Sequence, residues 1–461
     1  MTVPGLGGSR NGDRGAMRRW GNGLLLCVSL LASLTLAETG LRLFSQRYVA
    51  LHQNAANNES TVQYRNLPDG LVTLRPGKSF RHQTACTNIE GISVNPDGFR
   101  DRPWPPTKDG PRIAVMGDSF IEALSVADGE HVAAVLARLT GARVLNAGIG
   151  GYATVTELFA YRRLVRPLSP DVVVVFVYPG NDVRGNSCRL DPTRTVCGEV
   201  GEHGVTYRDG EPAQGNRGAG APPPTPTVDV PSGGTVVARL KGTLRKHLVL
   251  YQALHDLKVL VQGAYNQLRG YVPPRWQLYL NRKSADWEEA WRITEDALKT
   301  LKDEVEADGA RLALVAIPEH FTTSREWRHE MMFGAASAVP DDFDPALPAR
   351  RLATVAARIG VPLLDLRPAL LAYRDVHDLS YPYFSFSCDG HWNPLTHYLA
   401  GHATAALLAQ QGLVGKNQSD RAGLMSARRD AFARNPKAIL GTEAYRQIFE
   451  AGTYTGGAAM R

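Results

Sequence analysis

Asp171–Val177 reads Asp-Val-Val-Val-Val-Phe-Val, and this run constrains the fold more tightly than any other stretch of the chain. β-Branched side chains crowd the preceding turn of a helix but sit well on a pleated surface, so the run is a strand. A strand wetted on one face alternates apolar with polar residues, and this one does not, so both of its faces are covered. Arg112–Met116, Arg143–Asn146, Arg311–Ile317 and Val361–Leu366 are shorter runs of the same kind. Helix-like stretches separate them, one running from Ile121 through Leu139 and another over Thr154–Val165. Unbroken apolar strands alternating with helices predict a parallel sheet with helices packed on both faces.

A chain of 461 residues has room for two or three domains, and a single α/β domain with insertions also fits. The alternation is interrupted between Arg184 and about Val237, where Glu211–Thr235 is rich in Pro, Gly and Ala and reads as a flexible insertion. Leu240–Leu268 and Trp287–Val305 then read as amphipathic helices, and no internal repeat of solenoid period is present. The expected layout is a short tail over 1–19, a membrane helix over 20–44, and a mixed lead-in segment over 45–110. A catalytic domain follows over 111–411, with its insertion at about 184–240, and 412–461 is a polar, partly helical tail without a functional reading.

The amino terminus bears on location. Arg10, Arg14, Arg18 and Arg19 precede an uncharged, leucine-rich stretch from Trp20 to Ala37. As a helix that stretch would be about 27 Å long, close to the hydrocarbon thickness of a bilayer. Arginines on its short side hold that end in the cytoplasm and send the rest outward. We read it as an uncleaved anchor in a bacterial inner membrane, with the remainder in the periplasm or exterior. The rival reading is a cleaved signal peptide ending at Thr35-Leu36-Ala37. A net charge of +7 without an aromatic-interleaved basic stripe argues against nucleic acid as a partner. Five cysteines suit an exported protein: Cys188 and Cys197 are near neighbours able to close a small loop, and Cys86 and Cys388 are the other soluble candidates.

In an open parallel sheet, ligands bind at the carboxyl ends of the strands. The first strand ends in Gly117-Asp118-Ser119-Phe120, the second in Asn146-Ala147-Gly148-Ile149-Gly150-Gly151, the third in Tyr178-Pro179-Gly180-Asn181-Asp182. Far downstream lies Cys388-Asp389-Gly390-His391-Trp392-Asn393-Pro394, in which Asn393 suits an N-cap and Pro394 the first turn of a helix through Gln410. Together these supply one chemistry. Ser119 is the nucleophile, His391 takes its proton and returns it to the leaving group, and Asp389 steadies the imidazolium. The backbone N–H groups of Ser119 and Gly151 and the side-chain amide of Asn181 are the expected oxyanion donors. Each segment alone reads equally as an ordinary turn or a surface pair; their order and placement give them force.

These four blocks, in this order, resemble those of the SGNH (GDSL-type) hydrolase family. The match covers residues 112–183 and 311–411, and Phe120 stands where the family tetrapeptide has leucine. The resemblance implies a flavodoxin-like three-layer α/β/α sandwich and ester hydrolysis through an acyl-enzyme, with Ser119, Gly151, Asn181 and His391 at the four name-giving positions and Asp389 as the acid. The expected protein is a membrane-anchored serine esterase or carbohydrate deacetylase acting on an acyl ester, with an O-acetylated glycan as a candidate substrate. An O-acetyltransferase using the same triad, and a non-catalytic envelope protein that kept the fold, are the rivals. No cofactor is expected. No metal is expected either, since Glu319-His320 and His329-Glu330 match no metal-binding spacing.

Overall fold

The computed structural model describes residues 11–44, 60–105, 107–208, 248–269, 271–282, 284–325, 339–379, 383–386, 388 and 390–456. The chain divides into two compact units, one formed by 1–57 with 232–261 and the other by 58–231 with 262–461.

In the smaller unit one helix runs over Asn11–Phe44, and a second helix begins at Val249 and continues to Leu268. Glu38 joins them: its carboxylate accepts the first backbone N–H groups of the second helix, from Val249 at 3.0 Å and Leu250 at 2.7 Å. Those donors have no partner within their own helix, and an acid beside a helix N-terminus also meets the positive end of its dipole. Leu25, Val28, Leu30, Leu31 and Leu36 of the first helix are exposed. Among the described residues, however, no helix is long and apolar enough to cross a membrane. In the described part of the N-terminal helix, Ser and Thr punctuate the leucines, and Glu38 and Arg42 form an ion pair before its end.

The larger unit is built on a five-stranded sheet: β1 (Arg112–Gly117), β2 (Arg143–Gly148), β3 (Val172–Val177), β4 (Arg311–Ala316) and β5 (Leu363–Asp365). All neighbours are parallel, and the order across the sheet is β5-β4-β3-β1-β2. Every residue of β1 and β3 is buried, as their unbroken apolar sequences require. The helical elements are α1 (Ser119–Glu122), α2 (Val132–Thr140), α3 (Thr154–Ala160), α4 (Pro179–Asn186), α5 (Ala285–Ala307), α6 (Leu347–Ile359), α7 (Leu366–Val376), α8 (Pro394–Gln410) and α9 (Gln418–Ala433). α2, α7 and α8 pack together on one side, and α3, α4, α5 and α6 on the other. This central parallel sheet with flanking helices fits an α/β hydrolase-like fold, and its strand order, read from the β2 edge as 2-1-3-4-5, is the flavodoxin-like one.

Three regions hold more structure than their sequences suggest. The 184–240 insertion begins with an ordered hairpin, Cys197–Gly201 against Gly204–Arg208, whose Val200, Val205 and Tyr207 pack with Ile293 and Ala297 of α5. Cys188 and Cys197 are disulfide-bonded at its base. Glu211–Thr235 lies outside the described residues. The lead-in segment forms two further hairpins, Tyr64–Asn66 with Val72–Leu74 and Ser79–Gln83 with Asn88–Ser93. The C-terminal tail is an integral layer: α9 packs along α8, and the Arg434 carbonyl accepts a hydrogen bond from Tyr373 of α7.

Candidate active site

The order 2-1-3 across the sheet makes the β1–β3 boundary a topological switch point, where the chain leaves adjacent strands toward opposite faces and opens a crevice. β1 delivers Ser119 to this crevice and β3 delivers Asn181. The short helix α1 starts because Asp118 caps it, Oδ1 accepting the Phe120 N–H at 2.9 Å. Ser119 therefore sits at the first helical position, only partly covered, above a buried strand end.

His391 reaches Ser119 from 272 residues downstream, with Nε2 2.8 Å from Oγ. Its loop is held at both ends. Phe386 and His391 close a turn, the Phe386 N–H donating to the His391 carbonyl at 2.8 Å and the Gly390 N–H to the Phe386 carbonyl at 2.9 Å. On the other side Asn393 caps α8 through Oδ1, 3.2 Å from the Thr396 N–H, and its amide donates to the Tyr383 carbonyl at 2.7 Å. Gly390 adopts φ +77°, a left-handed conformation that costs glycine nothing. Asp389, the expected acid, lies outside the described residues.

The other two expected oxyanion donors, Gly151 and Asn181, are each tied to neighbouring elements. Gly151 has φ +80°, and its carbonyl accepts the Arg194 guanidinium from the disulfide-closed loop 188–197. The N–H of Gly150 is directed to the Glu122 carboxylate. Asn181 donates from Nδ2 to Asp118 Oδ2 at 2.8 Å. An amide nitrogen carries two N–H bonds, so this contact orients the group and spares one N–H for an oxyanion.

Asp118 is the residue whose role the sequence conceals. It is fully buried and joins the serine's helix to the asparagine. Burial raises its carboxyl to about 6, against the pull of the Phe120 N–H, the His391 charge and the Asn181 amide. Glu157 and Asp182 are equally buried beside it. Burial followed by the Asp118 charge pushes Glu157 well above the usual carboxylate range, and burial followed by Glu157 and Asp118 does the same to Asp182. Asp118, with N–H donors on both oxygens, is the member of the trio that ionises first. Glu122 is a separate buried acid, bonded by the Tyr64 hydroxyl at 3.0 Å, and burial lifts it to about 7.

An aromatic wall flanks the pair. The Phe120 ring lies 4.9 Å from Tyr178, 5.3 Å from His391 and 5.3 Å from Trp392, centroid to centroid. Behind it the Tyr178 hydroxyl donates to Glu319, and Glu319 pairs with His320 Nδ1 at 2.9 Å. Burial opposes ionisation of Glu319, but His320, Tyr178 and Arg275 together hold its carboxyl below its ordinary value. Adjacent β3 and β4 create this contact, and sequence spacing carries no sign of it. Glu319 is thus engaged with protein groups, and among the described residues no group of three or more His, Cys, Asp or Glu is arranged to hold a metal ion. His329 and Glu330 lie outside the described residues.

No protein-family model and no curated protein matches the chain. Among solved structures it is similar to a protein from Desulfitobacterium hafniense named for the lipolytic G-D-S-L family, at 11% identity and TM-score 0.30, covering 65% of this chain and 100% of that one. It is also similar to the acetyl xylan esterase AlAXEase, at 13% identity and TM-score 0.33, covering 64% of this chain and 97% of that one. A variant of Axe2, an acetylxylan esterase from Geobacillus stearothermophilus, gives 12% identity and TM-score 0.33, with 66% and 96% covered.

Proposed function

We propose that the chain is a serine-dependent acyl-ester hydrolase, of the esterase or carbohydrate-deacetylase type. The observation that carries this reading is the 2.8 Å contact between Ser119 Oγ and His391 Nε2, made at the sheet's switch point by residues from opposite ends of the domain. In the proposed cycle Ser119 attacks the ester carbonyl while Nε2 takes the hydroxyl proton. The tetrahedral oxyanion is met by the N–H groups of Ser119 and Gly151 and by the free N–H of the Asn181 amide. His391 then protonates the leaving alcohol, and a water activated by the same imidazole releases the acid. Asp118 favours the charged imidazole by its own negative charge, and Asp389 is the proposed partner of the other ring nitrogen.

An acyl-enzyme transfers its acyl group to a sugar hydroxyl as readily in principle as to water, so the acceptor decides between hydrolase and O-acetyltransferase. Within this reading an O-acetylated glycan is the proposed substrate class. We further propose that the N-terminal helix holds this domain on the outer side of a bacterial inner membrane; the arginines at its amino-terminal end and the exposed leucines along it support that location. Ser119→Ala is expected to lower turnover of p-nitrophenyl acetate by at least about a thousandfold with an unchanged circular dichroism spectrum. Turnover equal to wild type would remove the reading. Product analysis with and without an acetyl-accepting oligosaccharide separates the two acceptors.

A further inference from the structure

The reaction proposed above leaves one contact unexplained: a disulfide lies within three residues of the general base. Cys388 is bonded to Cys86, which lies on the turn between two strands of the lead-in segment, 302 residues earlier. The same turn is grasped by the end of the chain. The Tyr454 N–H donates to the Cys86 carbonyl and the Asn88 N–H to the Tyr454 carbonyl, each at 2.8 Å. The buried Tyr454 ring stacks on Phe386 at 5.9 Å, and its hydroxyl reaches Glu130. Phe386 is the residue whose backbone closes the turn to His391. Two ties from one platform therefore converge on the loop that carries the base.

We propose that the Cys86–Cys388 disulfide is a positioning bond for His391, and that its cleavage by a dithiol lowers turnover while the sheet stays folded. This rests on the reading of His391 as the general base. The step balances: the dithiol gives up two electrons and two protons, becomes a disulfide itself, and leaves Cys86 and Cys388 as thiols. Exposure makes the bond selective. Cys86 is buried like Cys188 and Cys197, but Cys388 is exposed, so a small dithiol can attack the first bond at the Cys388 sulfur and has no such point of entry to the second. Among the described residues, loss of the tie leaves the 383–393 turn its backbone hydrogen bonds, the side-chain bonds of Asn393 and Thr396 to the Tyr383 and Phe384 carbonyls, and the Tyr454 stack. Displacement of an imidazole by about 1 Å costs on the order of a hundredfold in rate.

The full-length protein is treated with dithiothreitol until mass spectrometry of alkylated peptides shows Cys86 and Cys388 reduced and Cys188 and Cys197 still joined. The expected result is a fall in kcat of about 10- to 100-fold with KM changed less than about twofold, an unfolding transition that stays cooperative with its midpoint lowered but still above the assay temperature, and recovery on reoxidation. Cys86→Ser with Cys388→Ser should reproduce the fall and abolish the response to reductant. Hydrogen exchange of peptides spanning 383–393 supplies a readout independent of activity, and it should rise on reduction. Unchanged kcat with the bond fully cleaved overturns the proposal, and so does a loss that tracks the unfolded fraction. A wild-type protein that hydrolyses no ester, yet shows the exchange response, overturns the hydrolase reading and leaves the loop tether standing.

Discussion

Glu122 shows how a buried acid beside the proposed nucleophile makes stability depend on pH. It is fully buried, lies three residues after Ser119, and accepts from Tyr64 and Gly150. Burial raises it from 4.5 to about 7, so ionising it in the folded state costs more than in the unfolded chain. The sign follows from linkage: the protonated acid contributes its stability fully below its unfolded value, and that contribution is lost as pH rises through about 7. The difference is on the order of 3 kcal/mol for a shift of this size. Glu122→Gln keeps an acceptor for Tyr64 and Gly150 but has no proton to lose. Urea unfolding at pH 5 and pH 8 should show a stability difference in wild type that is much smaller in the variant, which becomes the more stable of the two at pH 8. Parallel slopes for both proteins would place the ionisation elsewhere.

Among the elements, α8 and the loop before it were the most legible, and the insertion the least. Asn393-Pro394 announces a helix start because the two residues satisfy and pre-set its first turn, and the structure places the cap at Asn393. The strands were legible for a related reason: Val172–Val177 has no polar residue to lay against water. The hairpin Cys197–Arg208 escaped because its apolar residues, Val200, Val205 and Tyr207, are few and gain their partners from α3 and from α5, each tens of positions away. Tyr178 with Glu319, and Asp118 with Asn181, were hidden likewise, since each pair depends on which strands become neighbours. The α8 cap also carries the base. Asn393→Ala should lower stability by about 1–2 kcal/mol, from the lost cap and the lost bond to Tyr383. A fall in the unfolding midpoint accompanied by a lower kcat is expected, because His391 stands two residues before the cap; an unchanged midpoint would show that the cap is replaceable.

At the scale of the molecule, the segments before and after the sheet act on one place. The hairpin Ser79–Ser93 and Tyr454 meet at residues 86–88, beneath the loop that holds His391. A chain ended after Leu440 keeps the five strands and α8 and α9 but loses Tyr454 and its stack on Phe386. It should retain a cooperative unfolding transition and lose about tenfold in kcat. Full activity in that shortened chain would make the tail a covering layer only.

The bond between Cys86 and Cys388 also sets a schedule for biogenesis. The first sulfur is made early and must stay unpaired while three hundred residues follow, among them Cys188 and Cys197, which close their own short loop. The partner of Cys86 arrives only after every strand of the sheet, and the tyrosine that secures the joint arrives later still. Ser119 is therefore made 272 residues before the histidine that reaches its hydroxyl. In the proposed reading, that delay leaves Ser119 without its base while the intervening residues are made, and closure of the Cys86–Cys388 bond follows the arrival of both cysteines.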